Sequence, residues 1–251
     1  MITEEEFFSR MPKIIGHRGA CGLAPENTLA SLRKAAEIGT SFVEIDVTVT
    51  QDSVAVIQHD NDVRRCSNGS GPILLKTLEE VQQLDAGSWF SDDFKGEKIP
   101  TLKQATDTLA DLGLGLNLEI KPCSGWQIPT TEQVAKELLD YWPEDLPLLI
   151  SSFNVDSLYE MGRLIPDIPR GYLTSAIPPD WEERLTDSAC ASLHCERYYV
   201  TEDQVKAIKK AGFRLLVYTV NDPKEAEKFL GWGVDAVITD FPDRMFGALD
   251  L

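Results

Sequence analysis

The order of apolar and polar runs limits the fold of this chain more strongly than any other feature of its sequence. Short strand-like runs alternate with helix-like runs along nearly the whole length, which predicts parallel strands joined by right-handed helical crossovers. The eight strand-like runs are Lys13–His17, Phe42–Thr50, Leu116–Ile120, Pro147–Ser151, Arg170–Thr174, Ala191–His194, Arg214–Thr219 and Ala236–Thr239. Eight such units in 251 residues predict an α/β fold, a closed TIM (β/α)8 barrel, rather than an open doubly wound sheet.

The predicted barrel accounts for the whole chain except one irregular region. We expect a single domain over residues 1–251, because this length suits one barrel. The alternation breaks after a second strand-like run, Val54–Gln58, where residues 60–100 are rich in glycine, aspartate and aromatic side chains. A loop of this length in a compact domain usually carries function, which favours a small insertion over the barrel mouth. An ordinary surface excursion is the open alternative.

The acidic composition restricts the partners of the chain. A formal net charge of −17 repels nucleic-acid phosphates and anionic bilayers, so we expect no nucleic-acid binding and no stable membrane association. No run approaches the roughly 18 apolar residues of a membrane span, and Glu4, Glu5 and Glu6 stand where a signal peptide would be basic and then apolar. The five cysteines include no Cys-x-x-Cys pair and suggest reduced thiols. We therefore expect a cytoplasmic protein, in which a site for an anionic substrate needs a local positive charge.

Three carboxylates on two predicted strands form a candidate metal site. Glu44 and Asp46 lie two residues apart, so the period of a strand places both on one face. Glu119 stands on the next predicted barrel strand and shares its face with Lys121. Carboxylates gathered inside a barrel are costly unless a cation neutralises them, which indicates a hard divalent metal such as Mg²⁺ or Ca²⁺. The alternatives are a solvated acid at a strand end and a simple ion pair between Glu119 and Lys121.

Each of the three histidines ends an apolar run. His17, which precedes Arg18, and His59 can face each other across the barrel mouth, where two imidazoles can accept and donate protons around a scissile bond. Asp60 can orient an imidazole. A lone histidine in such a place is more often structural, and for His194 both interpretations stay open.

Several short motifs occur in an order that is typical of one enzyme family. The motifs are His17-Arg18-Gly19, Pro25-Glu26-Asn27-Thr28, Glu44-x-Asp46-Val47, His59-Asp60, Asp85-Ala86-Gly87-Ser88-Trp89-Phe90, Glu119-Ile120-Lys121-Pro122, Ser151-Ser152-Phe153, Tyr218-Thr219-Val220-Asn221 and Thr239-Asp240. Each motif alone is common, but the order and spacing together are specific. From about Ile14 to Pro242 the chain resembles the glycerophosphodiester phosphodiesterases, and within them the cytosolic bacterial branch.

The resemblance implies a TIM barrel that hydrolyses glycerophosphodiesters, such as glycerophosphocholine, to sn-glycerol 3-phosphate and an alcohol with a divalent metal. The matching positions are His17 for the proton acceptor, His59 for the proton donor, Glu44, Asp46 and Glu119 for the metal ligands, and Arg18 and Lys121 for phosphate binding. Tyr218 stands where many members have a tryptophan beside the glycerol. Glu26, close to the His17 loop, can contact metal or glycerol, whereas Asn27 or Thr28 suits a helix cap.

Three other functions stay open at this stage. A phospholipase D-like enzyme acting on lysophospholipids uses a similar barrel, but it needs an apolar groove or a membrane-facing rim. A glycosidase also uses paired carboxylates, and it would be insensitive to a chelator. A protein that only binds a phosphorylated metabolite would need Arg18 and Lys121 but neither histidine. The sequence also leaves open whether water or the glycerol 2-hydroxyl attacks the phosphorus.

Overall fold

The computed structural model describes residues 4–249, and in them eight parallel strands close into a ring. All but β3 of the following nine strands form this ring: β1 (Ile14–Gly16), β2 (Phe42–Val49), β3 (Ala55–Ile57), β4 (Gly115–Ile120), β5 (Leu148–Ser152), β6 (Arg170–Thr174), β7 (Ser192–Glu196), β8 (Arg214–Tyr218) and β9 (Ala236–Thr239). β1 pairs in parallel with both β2 and β9, which closes the barrel. β3 lies outside the ring and pairs with β2 in antiparallel orientation. The predicted TIM barrel is confirmed.

Helices connect the barrel strands and surround them. They are α1 (Glu4–Arg10), α2 (Leu29–Glu37), α3 (Leu78–Gln83), α4 (Leu102–Leu112), α5 (Gln127–Tyr141), α6 (Val155–Leu164), α7 (Trp181–Asp187), α8 (Glu202–Lys210), α9 (Pro223–Trp232) and α10 (Pro242–Ala248). Helix α5 begins at Gln127, and Pro129 fits its first turn, where no intrahelical N–H bond is lost. No helix of residues 4–249 is both long and apolar enough to cross a membrane.

Strand β2 shows how the alternation of side chains builds both the core and the site. Val43, Ile45 and Val47 pack outward into the cluster between the strands and the helices. The intervening residues point into the barrel, and Glu44 and Asp46 are almost fully buried there. The face that carries the two carboxylates is therefore the inner one, as the period of a strand requires.

The N-terminal end of the barrel is closed by α1. Phe7 is buried and its ring packs edge-on against the ring of Phe42, with 6.1 Å between the centroids. Both rings belong to the inner apolar cluster of the barrel, with Ile15, Leu149 and Leu216. This apolar floor leaves the opposite, C-terminal end for polar side chains, which is where TIM barrels carry their sites.

Residues 60–100 have a small apolar core of their own. Val63, Ile73, Val81 and Ile99 pack together and against Val56 of β3. Within this segment α3 begins at a capping box. One 3₁₀ turn, Ile73–Leu75, precedes α3, and another, Asp92–Phe94, follows it. Packing of this kind gives the segment a defined position beside the strand ends.

Candidate active site

A cavity of about 460 Å³ opens at the C-terminal ends of the barrel strands. Seven of the nine candidate residues from the sequence line it: His17, Arg18, Glu44, His59, Glu119, Lys121 and Tyr218. Asp46 and Glu26 lie behind this lining. Asp46 is 1% exposed, and the Glu26 carboxylate is bound by two arginines. The fold therefore brings all nine residues into one region, although they come from five strands and the loops that follow them.

The three carboxylates of the predicted metal site meet at the wall of this cavity. Oxygen atoms of Glu44, Asp46 and Glu119 lie within 4.8 Å of one another. Asp46 and Glu119 are direct neighbours in the register of β2 and β4, which fixes this approach. Glu44 Oε1 is buried and has no hydrogen-bond partner, so one oxygen of the cluster is free to bind a ligand.

Burial and mutual repulsion make this cluster costly to ionise. Burial, and then the charges of Asp46 and Glu119, raise the pKa of Glu44 well above its ordinary value. Burial, and then Asp46, raise the pKa of Glu119 to about 7, although Lys121 opposes the shift. Carboxylates so placed gain most from a neighbouring positive charge.

Asn27 fixes the position of Asp46, which the sequence analysis did not anticipate. The Asn27 amide donates from Nδ2 to Asp46 Oδ2 at 2.8 Å, and its Oδ1 accepts the backbone N–H of Asp46 at 3.1 Å. Asn27 has a positive φ of 58°, a conformation that asparagine tolerates better than most residues. Thr28 caps α2 by accepting the N–H of Ser31. The cap is therefore Thr28, and Asn27 positions a carboxylate.

His17 is held by Asp240, a second residue that the sequence analysis did not assign. Asp240 Oδ1 lies 2.6 Å from His17 Nδ1, and Asp240 Oδ2 accepts a hydrogen bond from Asn221 at 2.7 Å. Burial favours a high pKa for Asp240, but hydrogen bonds from His17, Cys21 and Asn221 outweigh it and lower the pKa below its ordinary value. Asp240 is therefore ionised and accepts the hydrogen bond from His17 Nδ1, so a neutral His17 ring has its acceptor lone pair on Nε2. The signal in the sequence was the position of Asp240 directly after the last barrel strand.

His59 has an aspartate partner of its own. His59 Nδ1 lies 2.6 Å from Asp60 Oδ1, and Arg65 Nε donates to Asp60 Oδ2 at 2.6 Å. Burial favours a high pKa for Asp60, but hydrogen bonds from Arg65 and His59 lower it to about 2. Burial also lowers the pKa of His59, and the charges of Arg18 and Lys121 act in the same direction against that of Asp46.

Two basic side chains, Arg18 and Lys121, bring positive charge close to the carboxylate cluster. Arg18 Nη1 donates to Glu26 at 2.7 Å, and its Nε lies 3.4 Å from Asp46 Oδ2. Lys121 Nζ donates to Glu119 at 3.0 Å and lies 3.3 Å from His59 Nε2. Both side chains reach the cavity, so an anion bound there would meet two cations beside the carboxylate cluster.

Glu26 joins the barrel to residues 60–100. Its two oxygens accept hydrogen bonds from Arg65 at 2.7 and 2.8 Å and from Arg18 at 2.7 Å. The hydrogen bonds from Arg65, and the charge of Arg18, lower the pKa of Glu26 against the effect of burial. In this arrangement Glu26 orients two arginines.

The two remaining candidates, Tyr218 and His194, lie in different surroundings. Tyr218 forms an aromatic wall with Phe153, their ring centroids being 6.3 Å apart, and its hydroxyl donates to the Thr174 carbonyl at 3.0 Å. His194 does not line the cavity. Its Nε2 lies 2.9 Å from Ser192 Oγ in the barrel interior, where burial lowers its pKa to about 3. His194 is thus a neutral residue of the core.

The family model described as the glycerophosphoryl diester phosphodiesterase family matches residues 17–244. The chain belongs to this family. A glycerophosphodiester phosphodiesterase of Caldanaerobacter subterraneus is 35% identical over 234 residues, which cover 92% of this chain and 95% of the relative. The resemblance inferred from the ordered motifs is therefore confirmed.

Solved structures of other glycerophosphodiester phosphodiesterases have the same fold. A phosphodiesterase of Oleispira antarctica in complex with the product sn-glycerol-3-phosphate matches with a TM-score of 0.96 and 44% identity, covering 98% of this chain and 99% of that chain. A glycerophosphodiester phosphodiesterase of Thermotoga maritima matches with a TM-score of 0.75 and 27% identity, covering 95% and 98%.

Members of the glycerophosphoryl diester phosphodiesterase family generally depend on a divalent metal, and the carboxylate cluster of this chain fits one. Three carboxylates are the donors that hard cations prefer. The unpartnered Glu44 Oε1 and the raised pKa values of Glu44 and Glu119 both indicate a place where positive charge is missing.

Proposed function

We propose that this member of the family hydrolyses glycerophosphodiesters, such as glycerophosphocholine and glycerophosphoethanolamine, to sn-glycerol 3-phosphate and an alcohol. One observation carries the proposal. Two histidines, each hydrogen-bonded to its own aspartate, share a cavity with the carboxylate cluster and with two basic side chains. The product bound to the Oleispira relative supports the glycerol phosphate part of the substrate.

In this proposal the two histidines divide the proton transfers. His17 Nε2 takes the proton of the attacking hydroxyl, because Asp240 holds the ring with its hydrogen on Nδ1. Asp240 also stabilises the imidazolium that forms. His59 gives a proton to the departing alkoxide as the bond from phosphorus to the alcohol oxygen breaks. The anionic diester would offset the charges of Arg18 and Lys121, and so favour the protonated form of His59.

Glu44, Asp46 and Glu119 would hold a divalent cation, Mg²⁺ or Ca²⁺. When bound, such a cation supplies positive charge that neutralises phosphate oxygens. Asn27 keeps Asp46 in place for this purpose through its two hydrogen bonds. Arg18 and Lys121 would bind the phosphate from the chain itself, where charge develops in the transition state.

The walls of the cavity would position the two ends of the substrate. Tyr218 would contact the glycerol, and Glu26 would act on the substrate through Arg18, which it orients.

We propose that residues 60–100 cover one side of the barrel mouth, because Arg65 in this segment holds both Asp60 and Glu26. This proposal treats residues 1–251 as one catalytic domain. The five free cysteines support a cytoplasmic location.

The main experiment is release of glycerol 3-phosphate from glycerophosphocholine by the purified chain. We expect activity with Mg²⁺ or Ca²⁺, its loss with a chelator and its return when the metal is restored. Glu44→Gln should remove metal-dependent activity, whereas Glu37→Gln on the exposed surface of α2 should not. Absence of cleavage with every divalent metal, or full activity in the chelator, would show that the proposal is wrong.

A second experiment separates the two routes of attack. Direct attack by ¹⁸O-labelled water places one ¹⁸O atom in the phosphate group of the glycerol 3-phosphate and gives no cyclic compound. Attack by the glycerol 2-hydroxyl gives a cyclic phosphate first, which can be trapped before water opens it.

Lysophospholipid cleavage in the absence of glycerophosphodiester cleavage would instead support the phospholipase D-like alternative.

A further inference from the structure

A second group of metal-binding atoms lies beside the carboxylate cluster. Asp240 Oδ1 is 2.6 Å from His17 Nδ1 and accepts a hydrogen bond from the Cys21 thiol at 2.9 Å. The Cys21 sulfur is 3.8 Å from His17 Nδ1. The group shares no residue with the carboxylate cluster, and its donors are one nitrogen, one sulfur and one oxygen. All three side chains are half-buried, so a dissolved ion can reach them.

The backbone holds these three side chains together. Cys21 stands four residues after His17 on a turn, and its N–H donates to the His17 carbonyl at 3.3 Å. The next residue, Gly22, donates its N–H to the Asp240 carbonyl at 2.9 Å. A Cβ at Gly22 would lie 2.7 Å from that carbonyl oxygen, so the close approach requires glycine. Asn221 fixes the other oxygen of Asp240. The backbone therefore gathers the three donor atoms in one place.

We propose that His17, Cys21 and Asp240 form an inhibitory site for a thiophilic divalent cation, with Zn²⁺ and Cd²⁺ as examples. Thiolate and imidazole ligands select such cations, whereas carboxylates suit Mg²⁺ and Ca²⁺, so the two neighbouring groups prefer different ions. Tetrahedral zinc with bonds of about 2.3 Å to sulfur and 2.0 Å to nitrogen separates these ligands by about 3.6 Å. The distance between sulfur and nitrogen here is 3.8 Å. The Asp240 oxygen would move outward by about 0.7 Å, and water would complete the shell.

Binding would change the proton positions on two of the three side chains. The S–H bond of Cys21 breaks, the thiolate binds the cation, and its proton goes to solvent. The cation binds His17 through the lone pair of Nδ1, so Nδ1 no longer carries a hydrogen. The neutral ring carries its hydrogen on Nε2 instead. The net result is the release of one proton for each cation bound.

The consequence for activity follows from the tautomer. In the proposed reaction His17 accepts a proton on Nε2, and a ring that already carries hydrogen there cannot do so. The inhibitory effect therefore rests on the proposed function. Binding of the cation does not rest on it, because the three donors are present whatever reaction the chain catalyses.

The test of binding is a titration of the full chain with Cd²⁺ in excess Mg²⁺, followed by the ultraviolet charge-transfer band of a cadmium–thiolate bond. We expect the band to saturate at equimolar Cd²⁺ and to disappear in Cys21→Ser, in which the hydroxyl keeps a hydrogen-bond donor beside Asp240. Cys66→Ser should keep the band, because Cys66 belongs to neither group of candidate ligands among residues 4–249. A band that is absent from the original chain, or unchanged in Cys21→Ser, would overturn the proposal.

The test of inhibition compares each variant with its own rate in the absence of Cd²⁺. Cys21→Ser should raise the Cd²⁺ concentration for half-inhibition by about tenfold or more, since a hydroxyl is a poor ligand for a soft cation. Equal inhibition of Cys21→Ser and the original chain would overturn the inhibitory effect. If no variant cleaves a glycerophosphodiester, the proposed function fails, and the band still decides whether the cation binds. Cys21→Ala provides a second variant, and thermal unfolding shows that each variant is folded.

Discussion

The two histidine–aspartate pairs of the site have the same hydrogen-bond length but different supports. In each pair, Nδ1 of the ring lies 2.6 Å from a carboxylate oxygen. Asp240 follows the last barrel strand and is held by Asn221 and Cys21. Asp60 follows His59 directly and is held by Arg65, and both residues belong to the segment of residues 60–100. The first pair is therefore part of the barrel, whereas the second depends on a segment outside it.

Because of this difference, we expect the two pairs to differ in stability. The barrel end around His17 is fixed by parallel pairing of β1 with its two neighbours, which also closes the ring. The segment that supports His59 has a core of few side chains and a short helix. Segments with small cores open at lower free energy than the elements of a main core. Perturbations of residues 60–100 should thus affect the pair at His59 and leave the pair at His17 unchanged.

Removal of either ring should have the largest effect. His17→Ala and His59→Ala should each lower kcat for glycerophosphocholine by about 10²–10⁴, because each removes one of the two proposed proton transfers. The double variant should lose far less than the product of the two effects, as residues that act as a unit do. The measurement is initial rate at saturating metal and substrate. A single variant that keeps most of the original rate would exclude its histidine from the reaction.

Replacement of the two aspartates compares the supports directly. Asp240→Asn should lower kcat by about a hundredfold or more, because an amide no longer holds His17 in the tautomer with hydrogen on Nδ1. Asp60→Asn should lower kcat by about tenfold, since solvent reaches this pair more readily than the pair at His17 and can replace part of the interaction. Asp243→Asn, an exposed change three residues after Asp240, is the control and should have no effect. Equal losses at Asp60 and Asp240 would contradict the difference between the pairs.

The sequence predicted those parts of the site that follow from local periodicity. Alternation in β2 places Glu44 and Asp46 on one face, and the end of a strand places His17 at the mouth, so neither needs knowledge of distant contacts. The partner of His17 is different. Asp240 lies 223 positions away along the chain, and only closure of the ring by β1 and β9 brings it beside the imidazole.

Contacts that start in loops could not be predicted in the same way. Asn27 reaches Asp46 because its backbone adopts a positive φ, which no apolar pattern encodes. Arg65 reaches Glu26 and Asp60 from an irregular segment, where arginine has no periodic signal. Helix α1 has a single buried side chain, Phe7, which gives too short a pattern for detection from the sequence.

Arg65 allows the pair at His59 to be weakened without a change to either histidine. Arg65→Met keeps much of the side-chain length and removes the hydrogen bonds to Asp60 and Glu26. We expect kcat to fall by about tenfold, because a catalytic residue that loses its orienting partners is less often in the productive geometry. The matched control is Arg64→Met, since the Arg64 side chain is 75% exposed and its ion pair is long, at 3.8 Å.

The same variant tests whether the pair at His17 is independent. The cadmium–thiolate band of Cys21 should be unchanged in Arg65→Met, because Arg65 contacts none of the three residues of that site. A weaker band would mean that residues 60–100 also support the barrel end around His17.

The smallest expected effect concerns the stability of residues 60–100. Asp85 accepts hydrogen bonds from the N–H groups of Gly87, Ser88 and Gly96 and from the Ser88 hydroxyl. Chiefly the bonds from Ser88 hold the pKa of Asp85 below its ordinary value. Asp85→Asn should lower the free energy of opening residues 60–100 by about 1 kcal/mol at neutral pH, because the amide accepts fewer of these bonds. Asp107→Asn, on the exposed surface of α4, should change it far less.

The dependence of this effect on pH has a definite sign. A carboxylate whose pKa is lowered on folding stabilises the folded form above its unfolded pKa of about 3.9, and this contribution is lost as the pH falls through the folded value. The difference between the original chain and Asp85→Asn should therefore be full at pH 7 and shrink below about pH 4. Hydrogen exchange measures it, and faster exchange should appear in residues 60–100 and not in β1 or β9. Equal acceleration in the barrel strands would mean that the segment opens only with the whole barrel, and the supports of the two pairs would then be equally stable.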